Sequence, residues 1–132
     1  MKKIIFLLLI IVSNWGCKKN NPFDNSSRLI GSWSWISSCG GLAYNCSTPE
    51  STNQKINLVF TVDSTLNTYV NDTLKASTRF QTFITPASDF PGTADVIKYN
   101  SSNQVKFSII RDTLYLNDFC CDGFNRNYKR IK

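Results

Sequence analysis

The sequence predicts an all-β domain, an eight-stranded antiparallel up-and-down barrel, and three observations lead to this fold class. Helix-favouring residues are scarce, because the 132-residue chain contains one Glu and four Ala, while Ser, Thr and Asn are abundant. Apolar and polar side chains alternate with the period of two that is typical of a half-buried strand. Turn residues separate the alternating segments, and no window of ten residues has the pattern of an amphipathic helix. A Greek-key β-sandwich is the alternative that this periodicity leaves open.

The predicted strands, in chain order, cover residues 29–35, 55–62, 66–70, 75–85, 95–99, 105–109, 114–117 and 124–130. In the first strand, Leu29, Gly31, Trp33 and Trp35 share one face. Alternation elsewhere predicts that the following side chains also point inward: Ile56, Leu58, Phe60, Val62, Val105, Phe107, Ile109, Leu114 and Leu116. Closing such a sheet into a barrel removes its exposed edges, which suits an exported monomer.

The N-terminal residues have the composition of an export signal. Met1-Lys2-Lys3 is positively charged, and the nine apolar residues 4–12 that follow are too few to span a bilayer as a helix. Gly16-Cys17, just after this run, resembles the lipobox of bacterial lipoproteins, in which the cysteine receives a lipid and the chain is cut before it. The resemblance implies a signal peptide at 1–16 and membrane attachment through lipid on Cys17, with the outer membrane as the location. A plain secretory signal with an ordinary thiol at Cys17 is the alternative.

A polar segment without periodicity follows the cysteine. Residues 17–28 include Pro22 and predict a tether that joins the membrane to a domain at 29–132. Removal of residues 1–16 would leave 13 basic and 9 acidic residues, a net charge of +4 instead of +6. Because these basic residues are scattered along the chain, we expect no nucleic-acid partner.

Gly31-Ser32-Trp33 on the first predicted strand resembles the Gly-x-Trp signature of lipocalins and their calycin relatives. In those barrels an arginine of the last strand lies across the tryptophan, and Arg130 occupies the corresponding place here. A guanidinium stacked on an indole would close the barrel floor by a cation–π contact. Residues 29–131 are also similar to small lipocalin-like lipoproteins of Bacteroidota. That similarity is carried by Trp33, Trp35, Gly40, Gly41, Leu58, Phe60, Asp122, Gly123, Tyr128 and Arg130.

Four cysteines remain once Cys17 is assigned to lipid, and an even number in an exported chain favours disulfides. In an up-and-down barrel the first and last strands are neighbours, so Cys39 and Cys46 should lie at the same rim as Cys120 and Cys121. We therefore expect one or two bridges between these two pairs. A Cys39–Cys46 bridge is the main alternative. A zinc site of four thiolates is disfavoured, because the cysteine spacing differs from that of C-x2-C knuckles.

No residue pattern points to catalysis. Histidine is absent, which removes Ser-His-Asp and Cys-His arrangements and every His-ligated zinc site. The Asp residues fall mostly in predicted turns, and the sequence has no paired-carboxylate motif, Gly-rich phosphate loop or nucleophile elbow. We therefore expect neither an enzyme nor a bound metal or cofactor.

Two functions fit this sequence. In the first, which the family resemblance favours, the barrel binds a small apolar ligand, and the residues expected to line the site are Trp35, Leu58, Phe60, Phe80, Phe107 and Leu116, with Trp33. In the second, large inward residues fill the barrel, and rim loops bind a protein or glycan through Tyr44, Phe119 and Phe124. An interior cavity above roughly 300 Å³ would favour the first function, and a filled core the second.

Overall fold

A computed structural model describes residues 26–87, 92–100, 102–120 and 122–132. The predicted signal peptide at 1–16, lipid attachment at Cys17, the tether as far as residue 25, and Cys121 lie outside the described residues. Within the described ranges, no helix has the length and apolar character needed to cross a membrane.

The described residues form nine strands and two one-turn helices. In chain order they are α1 (Ser26–Leu29), β1 (Gly31–Gly40), β2 (Asn45–Ser47), α2 (Pro49–Thr52), β3 (Ile56–Phe60), β4 (Thr65–Val70), β5 (Thr73–Pro86), β6 (Thr93–Tyr99), β7 (Asn103–Ile110), β8 (Thr113–Asp118) and β9 (Phe124–Arg130). All eight predicted strands are present. The last has its predicted bounds, whereas the first continues beyond Trp35 to Gly40.

The strands form one continuous antiparallel sheet that closes on itself. The order is β2-β1-β3-β4-β5-β6-β7-β8-β9, and β1 also pairs with β9 from Trp33 opposite Arg130 to Gly40 opposite Phe124. Eight strands therefore make a closed barrel, and β2 is an additional strand paired with the end of β1. The predicted up-and-down barrel is confirmed. The β-sandwich alternative is wrong, because the sheet does not divide into two layers.

The barrel core contains most of the inward-facing side chains that the alternation predicted, together with Leu66, Phe80, Ile97 and Tyr128. Its buried members are Leu29, Trp33, Trp35, Leu58, Phe60, Leu66, Phe80, Ile97, Val105, Phe107, Ile109, Leu114, Leu116 and Tyr128. Removing these apolar side chains from water is the main favourable contribution to folding. Val62 was expected to belong to this set, but it is 88% exposed, because β3 ends at Phe60 and Val62 lies in the turn before β4.

The β1–β2 hairpin corrects the expected disulfide pattern. Cys39 lies directly opposite Cys46 in the hairpin register, with the two Cα atoms 4.1 Å apart, and the two sulfurs are bonded. The favoured bridges from Cys39 or Cys46 to Cys120 or Cys121 are therefore wrong, and the alternative Cys39–Cys46 bridge is confirmed. A hairpin places its own cysteines in register before the distant end of the chain can compete. The four-thiolate zinc site is also wrong, since two of its sulfurs form the bridge.

Two short helices were not expected from the sequence. α1 takes Ser26, Ser27 and Arg28 from the predicted tether, and its Leu29 is fully buried in the core. The guanidinium of Arg28 donates a hydrogen bond to the Ile109 carbonyl at 3.1 Å, which ties α1 to the end of β7. Each helix is a single turn, so a search for amphipathic periodicity over ten residues could not detect it.

The floor of the barrel contains the arginine–tryptophan contact that the lipocalin resemblance implies. The Arg130 guanidinium carbon lies 4.0 Å from the centroid of the Trp33 ring, and Nη1 of Arg130 donates to the Ile30 carbonyl at 3.0 Å. Gly31 has φ +129°, and a Cβ added there would lie 2.9 Å from Nη1 of Arg130. Glycine at this position therefore leaves the space that the guanidinium occupies.

The strand β5 pairs with different neighbours along its two halves. Residues 73–79 of β5 pair with β4, whereas residues 80–86 pair with β6, starting at Phe80 opposite Tyr99. No β5 residue pairs with β4 and β6 at once, so among the described strands none pairs with the first half of β5 on the side that faces β6. The barrel wall is open at this place.

Candidate ligand-binding cavity

An open cavity of about 400 Å³ lies where the barrel wall is incomplete. Thr78 from the first half of β5 forms one side of its mouth, and Tyr99, Asn100 and Asn103 at the β6–β7 turn form another. The split pairing of β5 explains this position, because β6 turns into β7 at the level of Phe80 and leaves the segment before Phe80 uncovered. We call this space the β5–β6 cavity.

The apolar part of the cavity wall comes from the barrel interior. Leu58, Leu66 and Leu116 reach it from β3, β4 and β8, and each also belongs to the buried core. Ile56 adds a partly buried side chain at the start of β3. These side chains are fixed by packing on their other sides, so the apolar wall is formed before any ligand arrives.

The polar part of the wall consists of hydroxyl, amide and guanidinium groups. Thr68 faces the cavity from β4, and Arg126 does so from β9. Arg126 forms an ion pair with Asp118 through Nη2 and Oδ1, while Oδ2 of Asp118 accepts the backbone N–H of Phe124 at 3.0 Å. The positive charge at the wall is therefore compensated by a neighbouring carboxylate, which is itself fixed by the β8–β9 turn.

Two tyrosines join the apolar and polar parts of the wall. Tyr99 ends β6 and Tyr128 lies in β9, opposite Leu114. Burial raises the pKa of the Tyr99 phenol, and the proximity of Tyr128 raises it further. Burial also raises the pKa of Tyr128, which is 6% exposed. Both phenols are therefore protonated at neutral pH and present O–H donors.

The structure divides the predicted ligand-binding residues into three groups. Leu58 and Leu116 line the β5–β6 cavity. Trp35, Phe60 and Phe107 are buried core residues that are not part of its lining. Phe80 lies against Phe60, with ring centroids 5.1 Å apart in an edge-to-face arrangement, and lines a different concavity. The large aromatic side chains thus fill one part of the barrel, and smaller side chains leave another part open.

Several lining residues were missed by the sequence prediction. Thr68 and Thr78 both line the cavity from neighbouring strands, and this inward threonine pair is the signal that could have suggested a cavity wall. Tyr99 and Asn103 carry no such signal, since their role depends on where β6 stops pairing with β5. Leu66 and Arg126 were placed on predicted strands but not assigned to a site.

Two other concavities differ from the β5–β6 cavity. One, of about 530 Å³, borders the second half of β5 and is lined mainly by exposed or half-exposed residues such as Val62 and Gln81. The other, of about 470 Å³, adjoins the β5–β6 cavity and shares Tyr99, Asn103 and Arg126 with it. The β5–β6 cavity is the one whose apolar wall is built from several core side chains, so it is the candidate binding site.

The predicted rim residues are at the surface. Tyr44, in the turn of the disulfide-closed hairpin, is 69% exposed, whereas Phe119 and Phe124 are about half exposed. Lys106 lies over the Phe119 ring, with Nζ 5.2 Å from its centroid. Cys120 is an exposed free thiol. Among the described residues, no group of three or more His, Cys, Asp or Glu side chains has an arrangement suited to a metal ion.

Comparison of the chain with models of known protein families, with characterised proteins and with solved structures found no significant match.

Proposed function

We propose that this protein binds a small, largely apolar molecule in the β5–β6 cavity. The observation that carries the proposal is the cavity itself, whose volume of about 400 Å³ combines core side chains with a few polar groups. Small-molecule sites in proteins are concave, mostly apolar and preformed, with volumes of about 300–1,000 Å³. At about 30 Å³ per water-sized group, the cavity holds a molecule with on the order of a dozen non-hydrogen atoms.

The proposed setting is the outer membrane, with the barrel as an exported monomer attached by lipid on Cys17. The apolar run at 4–12 and Gly16-Cys17 support this location. α1 begins at Ser26, so the segment from Cys17 would link the barrel to the membrane surface. A barrel held at a membrane is well placed to receive an apolar molecule that partitions into lipid.

Methyl-resolved NMR of the full chain in detergent micelles tests the binding function at the site itself. We expect naphthalene, an uncharged apolar probe small enough for the cavity, to shift the methyl signals of Leu58, Leu66 and Leu116 with one-to-one saturation. The methyl signals of Leu29 and Leu114, which are fully buried core residues outside the cavity lining, should move little. This pattern separates binding in the cavity from partition of the probe into the micelle.

A matched pair of substitutions completes this test. Thr78→Phe fills the mouth of the cavity and should weaken probe binding about tenfold or more. Thr93→Phe adds the same ring at an exposed β6 position outside the cavity and should leave binding unchanged. If the cavity methyl signals do not respond in the wild-type chain, or if both variants bind alike, the proposed function is wrong.

A second candidate function is binding of a protein or glycan by the rim. The observation that favours it is the exposure of Leu42 (92%) and Tyr44 (69%) on a hairpin held by the Cys39–Cys46 bridge. If this function holds, Leu42→Ser combined with Tyr44→Ser abolishes cross-linking to a specific partner in intact cells, whereas Thr78→Phe does not. The opposite outcome favours the cavity.

A further inference from the structure

The second half of β5 has a free edge on the side that faces β4. The ladder between β4 and β5 ends where Thr65 lies opposite Arg79. Residues 80–86 of β5 pair with β6, and no other described strand pairs with them. Free strand edges present N–H and C=O groups that another extended segment can bind, and proteins usually cover such edges. The second half of β5 can therefore accept one more strand.

The direction of the backbone identifies the groups at this edge. The N–H of Phe80 donates to the Ser64 carbonyl at 2.9 Å, so it points towards the β4 side. Backbone groups of alternate residues point to the same side of a strand, and those of Thr82 and Ile84 therefore face the free edge. An added strand would form its hydrogen bonds with these two residues.

A groove of about 530 Å³ lies beside this edge, and we call it the β5 edge groove. Residues 80–83 of β5 form one wall, and Ser26, Ser27 and Ile30 form another. Val62 also lines the groove and is 88% exposed. None of the described residues that line it is charged. The groove therefore suits an uncharged extended segment that carries an apolar side chain.

The chain itself supplies such a segment at this place. α1 begins at Ser26, which lines the groove, so the residues before it start there. Phe23 is the one aromatic residue among residues 18–25, and three residues of extended chain span at most about 11 Å. A segment joined to the edge of a site is present there at an effective concentration in the millimolar range. The N-terminal segment is thus the occupant that the position of α1 favours.

The order of residues in this segment is compatible with an added edge strand. Pro22 has no N–H, and proline is accepted in an edge strand where its nitrogen faces solvent. When Pro22 faces away from β5, the backbone groups of Phe23 face towards it. The side chains of Phe23 and Asp24 then point to opposite faces, so the ring can enter the groove while the carboxylate stays in water.

We propose that residues 21–25 lie along the free edge of β5 as a short added strand, with Phe23 packed in the β5 edge groove against Ile30 and Val62. The groove shares no lining residue with the β5–β6 cavity, so this docking is independent of the proposed binding function. With lipid on Cys17, three residues would separate that cysteine from the docked strand, a span of at most about 14 Å. Docking would then hold the floor end of the barrel close to the membrane.

Amide hydrogen exchange, measured by NMR on the full chain in detergent micelles, tests the added strand. The N–H groups of Thr82 and Ile84 should exchange slowly, because hydrogen bonds to the added strand protect them. Phe23→Ser removes the apolar anchor and should speed this exchange at least about tenfold. Phe23→Leu keeps an apolar side chain and should retain the protection within about threefold.

Two controls accompany these variants. Lys19→Ser alters the same segment outside the proposed strand and should leave the exchange of Thr82 and Ile84 unchanged. The N–H of Leu114, a fully buried core residue, should stay protected in every variant, which shows that the barrel remains folded.

The exchange rates also identify the results that would overturn the proposal. Wild-type exchange of Thr82 and Ile84 at the rate of exposed N–H groups would show that the edge is uncovered. Protection that survives Phe23→Ser would show that the N-terminal segment does not cover it. Protection that survives Phe23→Ser but falls on dilution of the chain would assign the edge to a second copy of the protein instead.

Discussion

The Trp33 ring is contacted at its edge by a group from the start of the barrel domain and on its face by a group from the last strand. Its Nε1 donates a hydrogen bond to the Leu29 carbonyl at 2.8 Å, and the Arg130 guanidinium covers the ring at 4.0 Å. Arg130 in turn donates to the carbonyls of Ile30 and Arg28. One arginine therefore joins β9, β1 and α1, and it donates to two backbone carbonyls at the barrel floor.

Substitution of Arg130 tests the energetic weight of this contact. Arg130→Met keeps an apolar chain over Trp33 but removes the cation–π attraction and the donors to Ile30 and Arg28. We expect the free energy of unfolding, measured by urea denaturation, to fall by about 2–3 kcal/mol, because hydrogen bonds to a charged group and a desolvated cation–π contact are each worth about 1–2 kcal/mol or more.

The neighbouring residue provides the control for this substitution. Lys129 is exposed on the opposite face of β9, so Lys129→Met should change the free energy of unfolding by less than about 0.5 kcal/mol. Equal effects of Arg130→Met and Lys129→Met would show that the guanidinium contact does not stabilise the barrel.

Two strands show how pairing decides local structure. β5 is one continuous strand, yet its pairing changes from β4 to β6 between Arg79 and Phe80, and the cavity mouth lies at this change. β2 has three residues and no clear alternation, yet it pairs with β1 and brings Cys46 opposite Cys39. In both cases the local structure depends on which strand pairs with the segment. That pairing is a property of the whole sheet and not of the segment's own sequence.

The disulfide provides a test at the scale of the hairpin. Peptide mapping under non-reducing conditions should recover the peptide that contains Cys39 linked to the peptide that contains Cys46. The double substitution Cys39→Ala and Cys46→Ala should lower the free energy of unfolding by about 2 kcal/mol, the value that the chain-entropy model gives for so short a loop.

Cys120 serves as the control cysteine, because it is exposed and free. Cys120→Ala should change the free energy of unfolding by less than about 0.5 kcal/mol. Recovery of Cys39 linked to Cys120 in the peptide map would contradict the hairpin bridge.

The molecule as a whole is a barrel that is filled in one part and open in another. Trp33, Phe60 and Leu114 are almost completely buried. The β5–β6 cavity reaches into the same core cluster from the open part of the wall. Because the closed sheet supplies the stability, the open part can carry polar side chains such as Thr68 and Thr78.

The phenols of Tyr99 and Tyr128 make the free energy of unfolding of the whole barrel fall at alkaline pH. Burial raises the pKa of Tyr99 and Tyr128 in the folded chain above the ordinary value of 10.0. Above about pH 10 the unfolded chain therefore loses these protons first, so the folded state binds more protons and stability falls as pH rises. Below pH 10 both states keep the phenol protons and the contribution is constant.

Urea denaturation between pH 8 and pH 11 measures this dependence. Each raised phenol should contribute up to about 1.4 kcal/mol of lost stability per pH unit above pH 10. The double variant Tyr99→Phe and Tyr128→Phe should show a shallower loss than the wild-type chain over the same range. Identical pH profiles would mean that neither phenol has a raised pKa in the folded protein. Because the two chains differ at these two residues alone, the difference between the profiles isolates the two tyrosines.

The candidate site was only partly predictable from the sequence. Leu58 and Leu116 were expected in the barrel interior from alternation alone, and both line the cavity. Phe80 and Trp35 were expected beside them for the same reason, but inward direction does not say whether a side chain meets a neighbour or an open space. Thr78, Tyr99 and Arg126 border the cavity because neighbouring strands are offset along their length. This offset cannot be deduced from the sequence of any single strand.

The sequence alone predicted the barrel strands and most of their inward faces, because the two-residue period of an extended backbone acts locally wherever the segment lies. The pairing of β1 with β9 was expected from the up-and-down topology, and the contact of Arg130 with Trp33 was expected from the resemblance to lipocalins. Only the tertiary structure decided that Cys39 pairs with Cys46, that α1 joins the core, and that β5 changes partners to leave a cavity. These depend on register and strand stagger, which are set by the free energy of closing the whole sheet and not by any one strand.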